Sequence, residues 1–204
     1  MVESRDLRVL MIFAERGNKK QVRSHRVLCL IFFSLILSMI DMDSYGGEIH
    51  EPQKKQAVLR MYARYKSAFP EVKDISVKQA VELQEQGRVV FVDIREPAEM
   101  AVSMLPGAVS RQDFLSHRDR YQDKTAVGYC TISYRSGLFA REMAAQGIAV
   151  INLRGGLLAW ILEGGAVYDE SGRPVKRVHV YDDRWDYAPD DYESVKFSFW
   201  ESIF

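Results

Sequence analysis

The chain has 204 residues, 47% of them apolar and 27% charged, with 28 lysines plus arginines against 28 aspartates plus glutamates. That length supports one well-buried core, and a zero charge balance supplies no overall field to gather nucleic acid, so no nucleic-acid partner is expected. The two cysteines, Cys29 and Cys130, stand in unrelated contexts and offer no disulfide framework. His25, His50, His117 and His179 lack ligand spacing, and the acids Asp182, Asp183, Asp186, Asp190 and Asp191 lack the alternation and glycine of a calcium loop. No metal and no cofactor is expected.

Residues 1–26 form a basic leader. Val27 to Ile40, VLCLIFFSLILSMI, carries no charge and as a helix reaches about 21 Å, short of the ~30 Å hydrocarbon core. Lys19, Lys20, Arg23 and Arg26 precede it, and Asp41, Asp43, Glu48 and Glu51 follow it. This asymmetry predicts an N-terminus in the cytoplasm and the remainder translocated, periplasmic if the source is bacterial. Residues 27–46 are then either a signal-peptide core cleaved near Ser44-Tyr45-Gly46 or a retained anchor holding the protein to the membrane through residues 27–40.

Residues 47–73 are expected to be a helical linker. Val58, Tyr62, Tyr65 and Phe69 recur at helical spacing from Glu51 to Phe69, and Pro70 ends the run. The helix either packs on the domain or spaces it from the membrane. From Asp74 to Val167 the pattern becomes alternating strands and helices. Lys78 to Gln86 predicts a helix stopped by Gly87. Val89-Val90-Phe91-Val92 predicts a strand covered on both faces. Pro97 to Ser103 suits a short helix, and Pro106-Gly107 a turn. Ala126 to Tyr129 and Ile148 to Leu153 predict strands. A helix over Gly137 to Ala145 turns Leu138, Phe139 and Met143 inward, and Leu157 to Leu162 forms a last short helix. Such alternation with short links means an α/β fold with a mainly parallel sheet. Residues 168–204 are an extension rich in aromatic and acidic residues, expected to wrap the domain surface, with partner binding or substrate gating as the alternative.

The stretch YCTISYRSG, Tyr129 to Gly137, joins a buried strand to a helix. The connection lies at the carboxyl edge of a parallel sheet, where open α/β proteins place ligands. Unpaired N–H groups and the positive end of the helix dipole make such a turn an anion cradle, to which Arg135 adds a forked cation. A thiol placed there is expected to ionise below its free value of ~8.5 and act as a nucleophile without a histidine base. Against this stands the plain alternative of Cys130 as a small core residue.

Four segments carry a family resemblance. Cys130-Thr131-Ile132-Ser133-Tyr134-Arg135-Ser136 resembles the active-site loop of rhodanese-domain sulfurtransferases, Cys-x-x-Gly-x-Arg followed by Ser or Thr. Val92-Asp93-Ile94-Arg95-Glu96-Pro97-Ala98-Glu99 resembles the family's first signature, and Leu105-Pro106-Gly107-Ala108 its Pro-Gly turn. Asn152-Leu153-Arg154-Gly155-Gly156 with Ala159-Trp160 resembles its closing strand and helix. The resemblance covers about Asp74 to Gly165 and implies a small parallel sheet flanked by helices. It implies transfer of a sulfane sulfur from thiosulfate or a related donor to a thiol or cyanide acceptor through a persulfide on Cys130. Arg135 would serve catalysis with Cys130, while Thr131, Ile132, Ser133, Tyr134 and Ser136 form the substrate-binding loop. Asp93 and Arg95 would support the loop, Arg95 extending toward the substrate; the alternative for Asp93 is a strand-end residue capping the next turn. Ser133 stands where the family has glycine. If that position needs positive φ, serine costs of order 1 kcal/mol. Met104 replaces the usual histidine before the Pro-Gly turn.

Phosphatases and arsenate reductases of the related fold place five residues between cysteine and arginine. Here there are four, which favours attack on sulfur. A weakly active or non-catalytic module, acting as a sulfur carrier or partner-binding domain, is the remaining alternative.

Overall fold

The computed structural model describes residues 50–181 and 183–197. The leader, the apolar run 27–40 with Cys29, and residues 198–204 lie outside the described residues. No helix among the described residues is long and apolar enough to cross a membrane. The chain divides into a unit Met1–Glu48 and a unit Ile49–Phe204, and all the described elements belong to the second.

Helix α1, Glu51–Tyr65, opens with proline in its first turn and buries Val58 and Tyr62, a ring and a valine four residues apart on one face. The expected helix to Phe69 is α-helical only to Tyr65 and continues as a 3-10 turn over Lys66–Ala68. Pro70 disfavours helical backbone at the residue before it, and Phe69 leaves at φ −147° with its ring fully buried. Of the two roles expected for this helix, the structure shows it packed on the domain. Its Lys55 pairs with Glu163 at 3.1 Å, and the Tyr62 hydroxyl donates to Asp74 at 2.5 Å.

Strand β1 is Asp74–Ile75. Ser76 and Gln79 close a capping box at the start of α2, Val77–Glu85. Strand β2, Val89–Asp93, is followed by α3, Pro97–Val102. Strand β3 is Val109–Ser110, and Ser110 caps α4, Arg111–Ser116. Then come β4, Thr125–Tyr129, and α5, Tyr134–Ala145. Strand β5 covers Ile151–Leu153, three residues shorter at its start than the apolar run predicts. The Ile148 N–H bonds back to Met143 O at the end of α5 instead of joining the ladder. Helix α6, Gly156–Leu162, is buried nearly all round.

The five strands pair in the order β1-β5-β4-β2-β3, every pair parallel. Alternation along β2 sends Val90 and Val92 into one core and Phe91 into the other. The first core gathers Phe91, Val127, Leu153 and the residues of α6, with Trp160 edge-on to Phe91 at 5.4 Å. The second gathers Val92, Phe139, Met143 and Phe69. From β2 the chain runs outward to edge strand β3 and then crosses to β4 on the other side of β2. That reversal opens a crevice at the carboxyl ends of β2 and β4, the place where such sheets bind ligands.

Beyond α6 the described residues add two small two-stranded sheets. Strands β6, Val167–Tyr168, and β7, Pro174–Val175, form an antiparallel pair, and Met104 and Tyr168 exchange main-chain hydrogen bonds of 2.8 and 2.9 Å. Strand β8, Arg177–His179, lies parallel to β9, Glu193–Val195. Val178 and Val180 are fully buried in the first core.

Candidate active site

The loop after β4 is held from behind. The first free amides of α6 donate to it, Leu157 N–H to Cys130 O at 2.9 Å and Leu158 N–H to Thr131 O at 3.1 Å. A Cβ on Gly156 would lie 2.3 Å from Cys130 O, and this residue has φ +61°, so glycine is what lets α6 come this close. In a trans peptide the C=O and the next N–H point oppositely. With the carbonyls of Cys130 and Thr131 turned to α6, the N–H groups of Thr131 and Ile132 face away from it. Across residues 131–136 the main-chain N–H groups meet no acceptor among the described residues; the first to bond is Gly137, to Ser133 O at 3.2 Å.

Ser133 has φ +71° and ψ +11°, a left-handed conformation, and it is the single such non-glycine residue among those described. Its buried hydroxyl donates to Leu153 O on β5. The strained backbone and this bond are of opposite sign and similar size, ~1–2 kcal/mol against ~0.5–1.5 kcal/mol. Ser136 Oγ donates to Asn152 Oδ1 at 2.7 Å, and Asn152 Nδ2 donates to Ser133 O at 3.2 Å. Ser133 and Ser136, both fully buried, thus anchor the loop to β5. At Gly137 a Cβ would lie 2.3 Å from the Phe69 ring, so the helix start rests directly on that ring.

The turn after β2 supplies the opposite wall of the crevice. Asp93 Oδ1 accepts from the Arg95 main-chain N–H at 3.0 Å and from Nε at 2.9 Å, while Oδ2 accepts from Nη2 at 2.6 Å. Asp93 therefore caps the turn and fixes Arg95. The two side chains are fully buried. Burial alone would lower the Arg95 pKa, but the Asp93 carboxylate outweighs it and holds the guanidinium charged. Arg95 lies over the Tyr129 ring at 5.7 Å and its Nη1 has no partner among the described residues. It lies against the last residue of β4, donates to Ser103 O and does not line the cleft.

Arg135 donates through both Nη atoms to the two carboxylate oxygens of Glu99, at 2.7 and 2.8 Å. Glu99 is the third residue of α3 and also accepts from the Glu96 N–H at 2.9 Å. His179 Nδ1 of β8 stands 3.1 Å from Oε1, the oxygen that also accepts from Arg135 Nη2. Burial pushes the Glu99 pKa up, but hydrogen bonds from His179, Arg135 and the Glu96 amide outweigh it and hold the carboxyl well below the usual range. Sequence reasoning places Arg135 toward the substrate; its charge is matched here by an internal carboxylate. The partner was visible within the Val92–Glu99 signature, but its role depends on the β2–β4 crevice.

Cys130 is 2% exposed and a free thiol. It opens, with Thr131, Ile132, Tyr134 and Arg135, onto a cleft of about 520 Å³. The remaining walls come from outside the strand–helix core: Tyr65 of α1, and Tyr181 and Trp185 of the extension. Tyr65 packs on Tyr134 at 5.1 Å and stacks on Trp185 at 6.5 Å. Tyr181 covers the Arg135 guanidinium at 5.4 Å. Burial and the Glu99 charge push the Tyr181 phenol up, so it stays neutral. These three rings carry no local motif that ties them to Cys130.

The Rhodanese-like domain model matches residues 76–163. A sulfurtransferase of Allochromatium vinosum is 38% identical over 80 residues, which are 37% of this chain and 75% of that protein. The chain belongs to the rhodanese-like family. The Bacillus subtilis protein YtwF is 31% identical over 96 residues, 44% of this chain and 91% of its own length. The Synechocystis protein slr1261 is 33% identical over 106 residues, and the match spans 50% of this chain and 59% of that relative. The rhodanese match contains β2, β4, the Cys130 loop and Glu99, but neither α1 nor the extension.

Two outcomes follow from this geometry. Ser133→Gly removes both the strain and the bond to Leu153 and should leave stability within about 1 kcal/mol of the parent in urea unfolding, whereas Ser133→Ala keeps the strain and orphans the carbonyl, costing roughly 1–2 kcal/mol. Because the folded pKa of Glu99 lies below its ordinary value of 4.5, its stabilisation is full above that pH and fades as pH falls below it. Glu99→Gln should cost about 2 kcal/mol at neutral pH, less than the ~3–5 of a fully enclosed pair, because Arg135 stays 28% exposed. The loss should shrink toward pH 3, read from unfolding midpoints across that range.

Proposed function

We propose that this rhodanese-family protein is a sulfurtransferase that takes a sulfane sulfur from thiosulfate or a related donor onto Cys130 and passes it to a thiol or cyanide. The observation that carries this reading is the position of Cys130: last residue before a loop whose amides are unclaimed, at the carboxyl end of a central strand and on the wall of a cleft. In the first step the Cys130 thiolate attacks the outer sulfur of thiosulfate. A new Sγ–S bond forms, the donor S–S bond breaks, and its electron pair leaves on sulfite. The persulfide so formed carries a negative terminal sulfur, to which the free loop amides are the nearest main-chain donors. An acceptor nucleophile then takes that sulfur and returns the Cys130 thiolate. The Arg135–Glu99 pair sets the loop against α3, and Arg135 contributes a screened charge to the site.

A carrier that hands its persulfide to one partner uses the same first step. The internal pairing of Arg135 favours that variant, since a freely diffusing dianion gains less from a neutralised guanidinium. For location, the basic leader and the apolar run 27–40 support export or anchoring of the domain on the non-cytoplasmic side.

Exposure of the full chain to thiosulfate should add about 32 Da, one sulfur, to the peptide containing Cys130. Cys130→Ser should abolish both this gain and thiocyanate release with cyanide, and full activity in that variant refutes the reading. Arg135→Ala should lower kcat/KM about tenfold, below the ~100-fold typical of a direct oxyanion donor, because its charge is already shared with Glu99.

A further inference from the structure

Glu99 carries a full set of donors. Oε2 accepts from Arg135 Nη1 at 2.7 Å and from the Glu96 N–H at 2.9 Å, while Oε1 accepts from Arg135 Nη2 at 2.8 Å and stands 3.1 Å from His179 Nδ1. A carboxylate offers about four lone-pair positions, so all are taken, and the group cannot turn about its last bond without breaking a contact. An ionised carboxyl only accepts, so Nδ1 is a ring nitrogen that carries a proton. The Arg135 and Glu96 donors lie inside the 76–163 match, and His179 lies beyond it.

The imidazole is itself held in place. Phe197 stacks on it at 4.4 Å, Tyr181 meets it edge-on at 5.5 Å, and the residue is buried. Strand β8 has other means of docking: Val178 and Val180 are fully buried in the first core, and Arg177 Nε donates to Val102 O at 3.0 Å, at the end of the helix that carries Glu99. An apolar ring at residue 179 would keep that packing and avoid burying a polar one. What a donor adds here is the last bond on Glu99. Arg135 shares the cleft wall with Cys130, so where its fork is held sets how its charge falls on the sulfur.

Resting on the sulfurtransferase reading, we infer that His179 is a positioning residue for sulfur transfer: by donating Nδ1–H to Glu99 Oε1 it locks the carboxylate that holds Arg135, and so fixes the guanidinium on the wall beside Cys130. Without that donor Oε1 keeps one partner, the carboxylate pivots, and Arg135 follows it. Tyr181, two residues on, lies over the Arg135 guanidinium at 5.4 Å, so one short segment confines both halves of the ion pair. The extension thus acts on the reaction through a salt bridge, with no contact to the reacting sulfur required.

A double-mutant cycle on the full chain tests this, with the second-order rate of sulfur loading on Cys130 from thiosulfate as the readout. His179→Phe keeps a ring for Phe197 and Tyr181 and removes the donor; it should slow loading about fivefold, less than the loss of Arg135 itself. In an Arg135→Ala background the same change should alter the rate by less than about twofold, because residue 179 acts through that guanidinium. His179→Asn, whose amide offers a donor near the place of Nδ1, should load within about twofold of the parent. A Phe variant as fast as the parent, an Asn variant as slow as Phe, or a loss undiminished in the Arg135→Ala background overturns this inference and leaves sulfur transfer by Cys130 standing. A parent chain that gains no sulfur overturns both. If His179→Phe shows no cooperative unfolding in urea, His179→Leu, close to Asn in shape and without a donor, takes its place in the cycle. If neither folds, His179 serves the fold alone and the inference falls.

Discussion

The geometry around Cys130 depends on two hydrogen bonds that point away from the chemistry. By donating to the carbonyls of Cys130 and Thr131, the start of α6 fixes which way those peptide planes face. Everything on the cleft side, the unclaimed amides and the side chains that line the opening, follows from that choice. The bonds need a close approach that any Cβ at residue 156 would block, so a small residue on one helix determines the polarity of a loop more than twenty residues earlier in the chain. A helix end that would otherwise need capping is satisfied by the same contact.

A second node lies across the crevice. Glu99 gathers a main-chain N–H from its own helix, the guanidinium of the loop and an imidazole of the extension. These partners come from three separate regions of the chain, and a carboxylate that is nearly buried holds them together by charge and hydrogen bonding at once. The buried Asp93–Arg95 pair does the same for the turn that precedes α3, locking the end of β2 under Tyr129.

Much of this was legible in the sequence because the signals were local. Val89 to Val92 is apolar without interruption, which a strand covered on both faces requires, and the glycines at 87, 147 and 164 mark helix ends with positive φ. The loop residue at 133 stood out as a serine where a left-handed backbone was suspected, and its φ of +71° bears this out. What escaped notice were relations between distant segments. Arg135 and Glu99 are 36 positions apart and His179 and Glu99 are 80 apart; no periodicity connects them. Strands β8 and β9 have three residues each, too short for an alternation pattern to emerge. The aromatic tail was readable as ordered, but its docking face was set by Tyr65 on α1, on the other side of the domain in sequence.

That last arrangement has a consequence for how the molecule comes into being. Lys54 reaches the main chain of Ala188 at 2.8 Å, bridging 134 positions, and Tyr65 meets Trp185. The ring enclosure above Cys130 is therefore closed by the two flanks of the chain gripping each other, whereas the widest pairing in the sheet beneath it, Asp74 with Asn152, spans 78 positions. Contacts of such long range form late because the intervening chain must first be ordered. Until Tyr181 and Trp185 dock, the cleft beside Cys130 lacks two of its four lining rings.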